Sequence, residues 1–154
     1  MIRAGILLAA MAGLGGSTAS APASSCRWSV PVDVRQRPVQ WLGDCHAGLA
    51  NGLGILRAGN REPYDFFLGR MSKGRPVDGL MIGHGTEWLV AHGFDERGGI
   101  KRTPNAAEGE FGAVFSRAAA AADANAKRME ARGNPASARY YRTLAAKVRN
   151  SLPE

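Results

Sequence analysis

Apolar and polar positions follow three different rhythms along the chain, and the rhythm changes near residue 23 and again near residue 100. After Met-Ile-Arg the chain is almost unbroken apolar from Ala4 to about Gly16, then turns to small residues through Ala23. Between Val39 and His92, short apolar runs are cut by glycines. This pattern predicts β segments over Val39 to His46, Gly52 to Arg57, Asp65 to Ser72, Gly79 to Gly83 and Thr86 to His92. Gly83-His84-Gly85 falls between two apolar runs and reads as a hairpin loop. Polar residues then dominate from Gly93 to Glu108. Beyond Ala113 the apolar positions recur at three and four residues, which is the helical period.

Two helices are predicted there. Ala113 to Ala131 is rich in alanine, the strongest helix former. Arg132-Gly133 is a stop, with Gly at the first position past the helix. Asn134-Pro135 supplies a cap and a proline suited to the first turn. The second helix runs to about Ser151. Ala138, Tyr141, Leu144, Ala145 and Val148 form one apolar stripe on it. The short connection makes an αα-hairpin. The predicted fold is therefore α+β, a small antiparallel sheet of hairpins followed by a C-terminal αα-hairpin. The divisions are a leader at 1–23, a glycine-rich β region at 24–99, a linker at 100–112 and the helical hairpin at 113–154.

The first segment has a charged start, an apolar middle and a small-residue end, the three parts of a secretory signal. Ala21-Pro22-Ala23 fits the cleavage rule, with the cut before Ser24. The apolar run is well short of the roughly 20 residues that span a bilayer. The chain is therefore expected in the periplasm or secreted, with no transmembrane segment after cleavage. In that oxidising setting Cys26 and Cys45, the only two cysteines, form the one possible internal bridge. Lipidation of Cys26 is the alternative use of that residue. A nucleophilic Cys45 beside His46 is disfavoured, because alternate strand positions point to opposite faces.

Of 154 residues 20 are glycine, and 13 of these lie between Gly43 and Gly99. Their spacing carries a repeat signal. Trp41-x-Gly43 is followed by Gly48, Gly52 and Gly54, and a second unit has Phe67-x-Gly69 followed by Gly74. In the second unit Gly79 arrives one residue late and the final Gly-x-Gly is missing. The first unit resembles the MORN repeat, whose usual form is Y-x-G-x-x-x-x-G-x-x-x-G-x-G. Trp41 stands in place of the tyrosine. The resemblance covers about 40 residues, with one full and one partial repeat. It implies stacked β-hairpins and a protein- or phospholipid-binding role without catalysis. A stacked sheet has open ends. The bridged N-terminal segment and the helices are expected to cap them.

Net charge is +7, and much of the excess lies in the helices. Arg139, Arg142 and Arg149 fall on one stripe of the second helix, a candidate contact for an anionic phospholipid or acidic protein surface. Trp41, Phe67 and Trp88 are read as an aromatic sheet face available to a partner, with core packing the better reading for Trp41. No metal-ligand spacing, nucleophile elbow or phosphate loop appears, so no metal and no cofactor are expected. Nucleic acid is not an expected partner for an exported chain. The carboxylates Asp65, Asp78 and Glu87 hold open the alternative of an envelope-acting enzyme or inhibitor. The leading expectation is an exported, non-catalytic binding or scaffolding module of the cell envelope.

Overall fold

The computed structural model describes residues 26–83, 88–101 and 108–151. Five antiparallel strands follow one another in a meander: β1 (Val39–His46), β2 (Leu49–Ala58), β3 (Asp65–Ser72), β4 (Arg75–Ile82) and β5 (Trp88–Ala91). Two helices follow, α1 (Glu108–Ala131) and α2 (Pro135–Arg149). The α+β architecture of a hairpin sheet with a helical hairpin is thus the observed one. The leader, the His84-Gly85 loop tip and residues 102–107 lie outside the described residues, as do Thr86 and Glu87.

Two tight turns set the sheet. Ala47-Gly48 joins β1 to β2, and Lys73-Gly74 joins β3 to β4. All four residues have positive φ, between 49° and 77°. Two consecutive positive φ values make the two-residue turn whose twist matches paired strands. Pairing therefore resumes at once, so β2 starts at Leu49 and β4 at Arg75. Sequence spacing had put those starts at Gly52 and Gly79.

Each hairpin also carries a bulge. In the first, Gly43 pairs with Gly54 but Asp44 pairs with Asn51, leaving Gly52 and Leu53 opposite a single step. In the second, Arg70 pairs with Asp78 and Met71 with Pro76, so Val77 alone is extra. Gly79 pairs with Gly69 as Gly54 pairs with Gly43. Gly79 therefore corresponds to the last glycine of the first unit. It is displaced because the second bulge is one residue shorter.

These registers align Gly43, Gly54, Gly69 and Gly79 in one row across four strands. The indole of Trp41 lies over Gly43 and Gly54, and the ring of Phe67 lies over Gly69 and Gly79. A Cβ at any of the four would run into a ring or a neighbouring backbone. Each ring thus occupies the space that side chains would need. Trp41 Nε1 donates to the carbonyl of Asp44 at 3.0 Å, satisfying its one polar atom.

The N-terminal segment covers this face. Cys26 is disulfide-bonded to Cys45, with the Cα atoms 5.8 Å apart. The sulfur considered for lipidation is therefore in the bridge. The Arg27 N–H donates to Gly48 and the Ser29 N–H to Gly74, so the segment is stitched across both hairpin turns. Further along, Gln36 donates from its backbone N–H and its side chain to the Asp65 carboxylate. Trp41, Leu56, Phe67, Met71 and Met81 are sealed beneath, with Val34 packed into them. The aromatic face around Trp41 and Phe67 is core, not a presented surface; Phe67 is fully buried.

The other face carries Ile55, Phe66, Leu68 and Leu80, packed against Val114, Phe115, Ala118 and Ala122 of α1. The caps of the helical hairpin follow the sequence. Gly133 (φ 72°) donates to Glu130 and Asn134 to Met129, closing α1. The Asn134 side chain then accepts from the Ser137 N–H at 3.0 Å, opening α2. Helix α1 begins at Glu108, inside the stretch assigned to the linker at 100–112. The N-terminal segment and the helices therefore cover the two faces of the sheet. They do not cap its ends, because hairpin strands of eight to ten residues leave two apolar faces wider than either edge.

Gly69→Ala is expected to destabilise the fold by about 3 kcal/mol, by forcing a methyl into the Asp78–Gly79 backbone. Gly48→Ala should cost only about 1 kcal/mol, because nothing lies within 4 Å and only its φ of 73° resists. Urea unfolding of both variants checks the order. The bridge closes a loop with a sequence separation of 19. Its loss in a Cys26→Ser/Cys45→Ser double variant should cost about 3 kcal/mol, read as a lower urea midpoint.

Candidate functional site

Helix α1 lies directly on the sheet, touching β2, β3, β4 and β5, whereas α2 packs chiefly on α1. This arrangement leaves α2 overhanging one end of the sheet. A cleft of about 620 Å³ lies beneath it. Its floor is Phe66 and Ile82, a cross-strand pair of β3 and β4. One wall is the connection between β2 and β3, at Glu62, Pro63 and Tyr64. The other is the stripe Tyr140, Thr143, Leu144 and Lys147 of α2. That stripe has helical spacing and is separate from the buried one of Ala138, Tyr141, Ala145 and Val148.

The rings around the cleft touch one another. Tyr64 meets Phe66 edge-on at 5.9 Å, Phe66 lies 6.5 Å from Tyr140, and Tyr140 meets Tyr141 edge-on at 5.2 Å. Arg57 reaches in from β2 on the same face. Its guanidinium lies 5.0 Å above the Tyr64 ring and donates to Gln40 Oε1 at 2.7 Å. Burial pushes the Tyr140 phenol well above its usual range, and the negative charge of Glu62 beside it pushes the same way. Burial also raises Tyr141, against the opposing charge of Arg57. Both phenols are therefore neutral at physiological pH, and the Tyr141 hydroxyl accepts from Arg57.

The residues singled out by sequence fall in several places. Trp41, Gly43, Gly54, Phe67 and Gly69 form the sealed face, Gly48 and Gly74 the turns, and Gly52 the first bulge. Trp88 is on the opposite face, stacked on Phe115 at 5.8 Å with the rings nearly parallel. Lys147 Nζ sits 5.9 Å over the Trp88 ring. Of the cationic stripe, Arg142 is paired with Glu130 and Arg149 with Asp123, both on α1. Arg139 makes no ion pair among the described residues. Two of the three cations thus serve to join the helices, which an arginine count does not reveal.

The carboxylates do not converge. Asp65 points to the sealed face and is held by Gln36. Asp78 is on the helical face, 2.7 Å from Arg70 and 3.3 Å from Arg117. Glu87 lies outside the described residues. Asp65 and Asp78 are separated by the sheet, so they do not act together on one bond. Among the described residues, no group of three or more His, Cys, Asp or Glu is placed to hold a metal ion. No described helix is long and apolar enough to cross a membrane.

The cleft was not among the sites read from sequence. Its only sequence signal is the spacing of Tyr140, Leu144 and Lys147, and Leu144 had been assigned to the buried stripe. No protein-family model, no curated protein and no solved structure matches the chain.

One ion pair gives a pH signature. Arg128 grips Asp44 through Nε at 3.0 Å and Nη2 at 2.6 Å, and also donates to the Leu53 carbonyl. This hydrogen-bonded pair holds the Asp44 carboxyl below its usual 3.8. A depressed carboxyl contributes stability that is complete above the unfolded value and fades as pH falls through the folded one. The stability gap between the wild type and Asp44→Asn should therefore be constant near neutral pH and shrink below about pH 4. Denaturation midpoints measured across that range check it.

Proposed function

We propose that the chain is an exported, non-catalytic binding module of the cell envelope, and that it takes its partner in the cleft beneath α2. The cleft itself is the observation that carries this reading. Its volume is within the range of small-molecule sites, and its walls are mostly apolar with a few polar groups at the rim. The disulfide fits an oxidising compartment. The separation of Asp65 from Asp78 keeps those two carboxylates from acting together on one bond.

The MORN-like reading belongs with this proposal. Its support is the paired construction of the two hairpins, each with an aromatic ring laid over its own cross-strand glycines. With the aromatic face sealed and two cations of the α2 stripe paired, the cleft takes over the role first expected of those surfaces. A partner would insert an apolar group between Leu144 and Ile82.

Titration of the isotope-labelled protein with a panel of small apolar and amphipathic compounds tests the reading by NMR. Shift changes are expected to cluster at Phe66, Ile82, Tyr140 and Leu144. Changes confined to other surfaces, or none at all, would contradict it.

A further inference from the structure

The cleft's charges select among apolar ligands. Glu62 makes no ion pair among the described residues, although it sits at the rim of a site walled by aromatic rings. Two rings of this region already carry cations from the chain itself, Tyr64 under Arg57 and Trp88 under Lys147. Among the described residues, no cation lies over Phe66 or Tyr140. Ring faces attract cations through their quadrupole, and more strongly where water is excluded. The Glu62 carboxylate, hydrogen-bonded by the Tyr140 hydroxyl and beside two rings that carry no cation, is complementary to a positive charge and repels a negative one.

We propose that the cleft binds a small amphiphile bearing an ammonium group, its head between Glu62 and Tyr140 and its apolar body along Ile82 and Leu144. This assignment rests on the binding-module reading and specifies its ligand class. Lys147 does not oppose it. Seven residues separate Lys147 from Tyr140 on α2, about 10 Å along the helix, and its ammonium is drawn over Trp88. Lys147 is therefore at the far end from the head, next to the body of the ligand, and the Arg57 guanidinium at the head end is engaged by the Tyr64 ring and Gln40 Oε1. The raised phenol of Tyr140 is consistent with this polarity, since the same carboxylate that disfavours phenolate favours a bound cation.

Three eight-carbon probes separate the class of ligand from the existence of the site: octyltrimethylammonium, octanol and octanoate, each below its micellar concentration. Binding is followed by NMR shifts of the cleft residues in the wild type, Glu62→Gln and Tyr140→Leu. Octyltrimethylammonium should bind about tenfold more tightly than octanol, and octanoate most weakly. Glu62→Gln should cut the ammonium's affinity about fivefold and leave octanol unchanged. Tyr140→Leu, which keeps an apolar wall, should narrow the same preference. Equal binding of the three probes, or a preference for octanoate, would overturn the ammonium class and leave the binding site standing. A preference untouched by Glu62→Gln would also overturn it. Failure of every probe would remove both the ligand class and the site. Glu62 is exposed at the rim, so its variant keeps the fold, which circular dichroism verifies.

Discussion

Everything else in the molecule depends on two aromatic rings packed against a row of glycines. Gly43, Gly54, Gly69 and Gly79 run side by side across four strands, leaving a shallow trough with no Cβ in it. Trp41 and Phe67 fold back into that trough, each over the two glycines of its own hairpin. The glycines cost conformational entropy in a strand. The rings offset that by burying large apolar surfaces that would otherwise stand upright on the sheet. With the rings lying down, residues 26–38 can pass close above the strands and hydrogen-bond to both hairpin turns.

The two faces are consequently closed by different means. The glycine face is covered by irregular chain, which packs Trp28, Val30 and Val34 onto it and is held at its start by the disulfide. The opposite face has full-sized side chains and needs a regular partner, the alanine-rich α1. Because α1 fills the centre of that face, α2 has no direct bed on the sheet and packs on α1 through Ala138, Tyr141, Ala145 and Val148. The cleft is the space left between the overhanging helix and the end of β3 and β4. Its chemistry follows from what happens to border that gap: two tyrosines and a phenylalanine, a carboxylate that makes no ion pair among the described residues, and a lysine held over Trp88.

Much of the architecture was readable because local rules decide it. Gly133 and Asn134-Pro135 mark the helix junction through caps that involve only neighbouring residues. Two cysteines leave one possible bridge. The strands were visible as apolar runs between glycines. Their starts were misplaced at Gly52 and Gly79, since two-residue turns resume pairing sooner than glycine-rich spacing suggests. Which face each residue takes was harder to read, because one bulge inserts two residues and the other inserts one. The covering segment forms no strand of the sheet, so its place was visible only through its bridge. The cleft was least legible. Tyr140, Leu144 and Lys147 have the same spacing as any packed stripe, and their exposure depends on which layer α2 rests upon. Likewise Arg142 and Arg149 count as surface charge until Glu130 and Asp123 are seen opposite them.

The packing of Trp41 and Phe67 against the glycine row is open to proton NMR. An Hα beneath the face of an aromatic ring is shielded. The Hα protons of Gly43 and Gly54 should therefore appear well upfield of ordinary strand glycines, with the shift abolished for that pair alone in Trp41→Leu. The Hα protons of Gly69 and Gly79 should behave in the same way toward Phe67→Leu. Glycine Hα resonances at ordinary strand positions in the folded protein, unmoved by either substitution, would contradict the account.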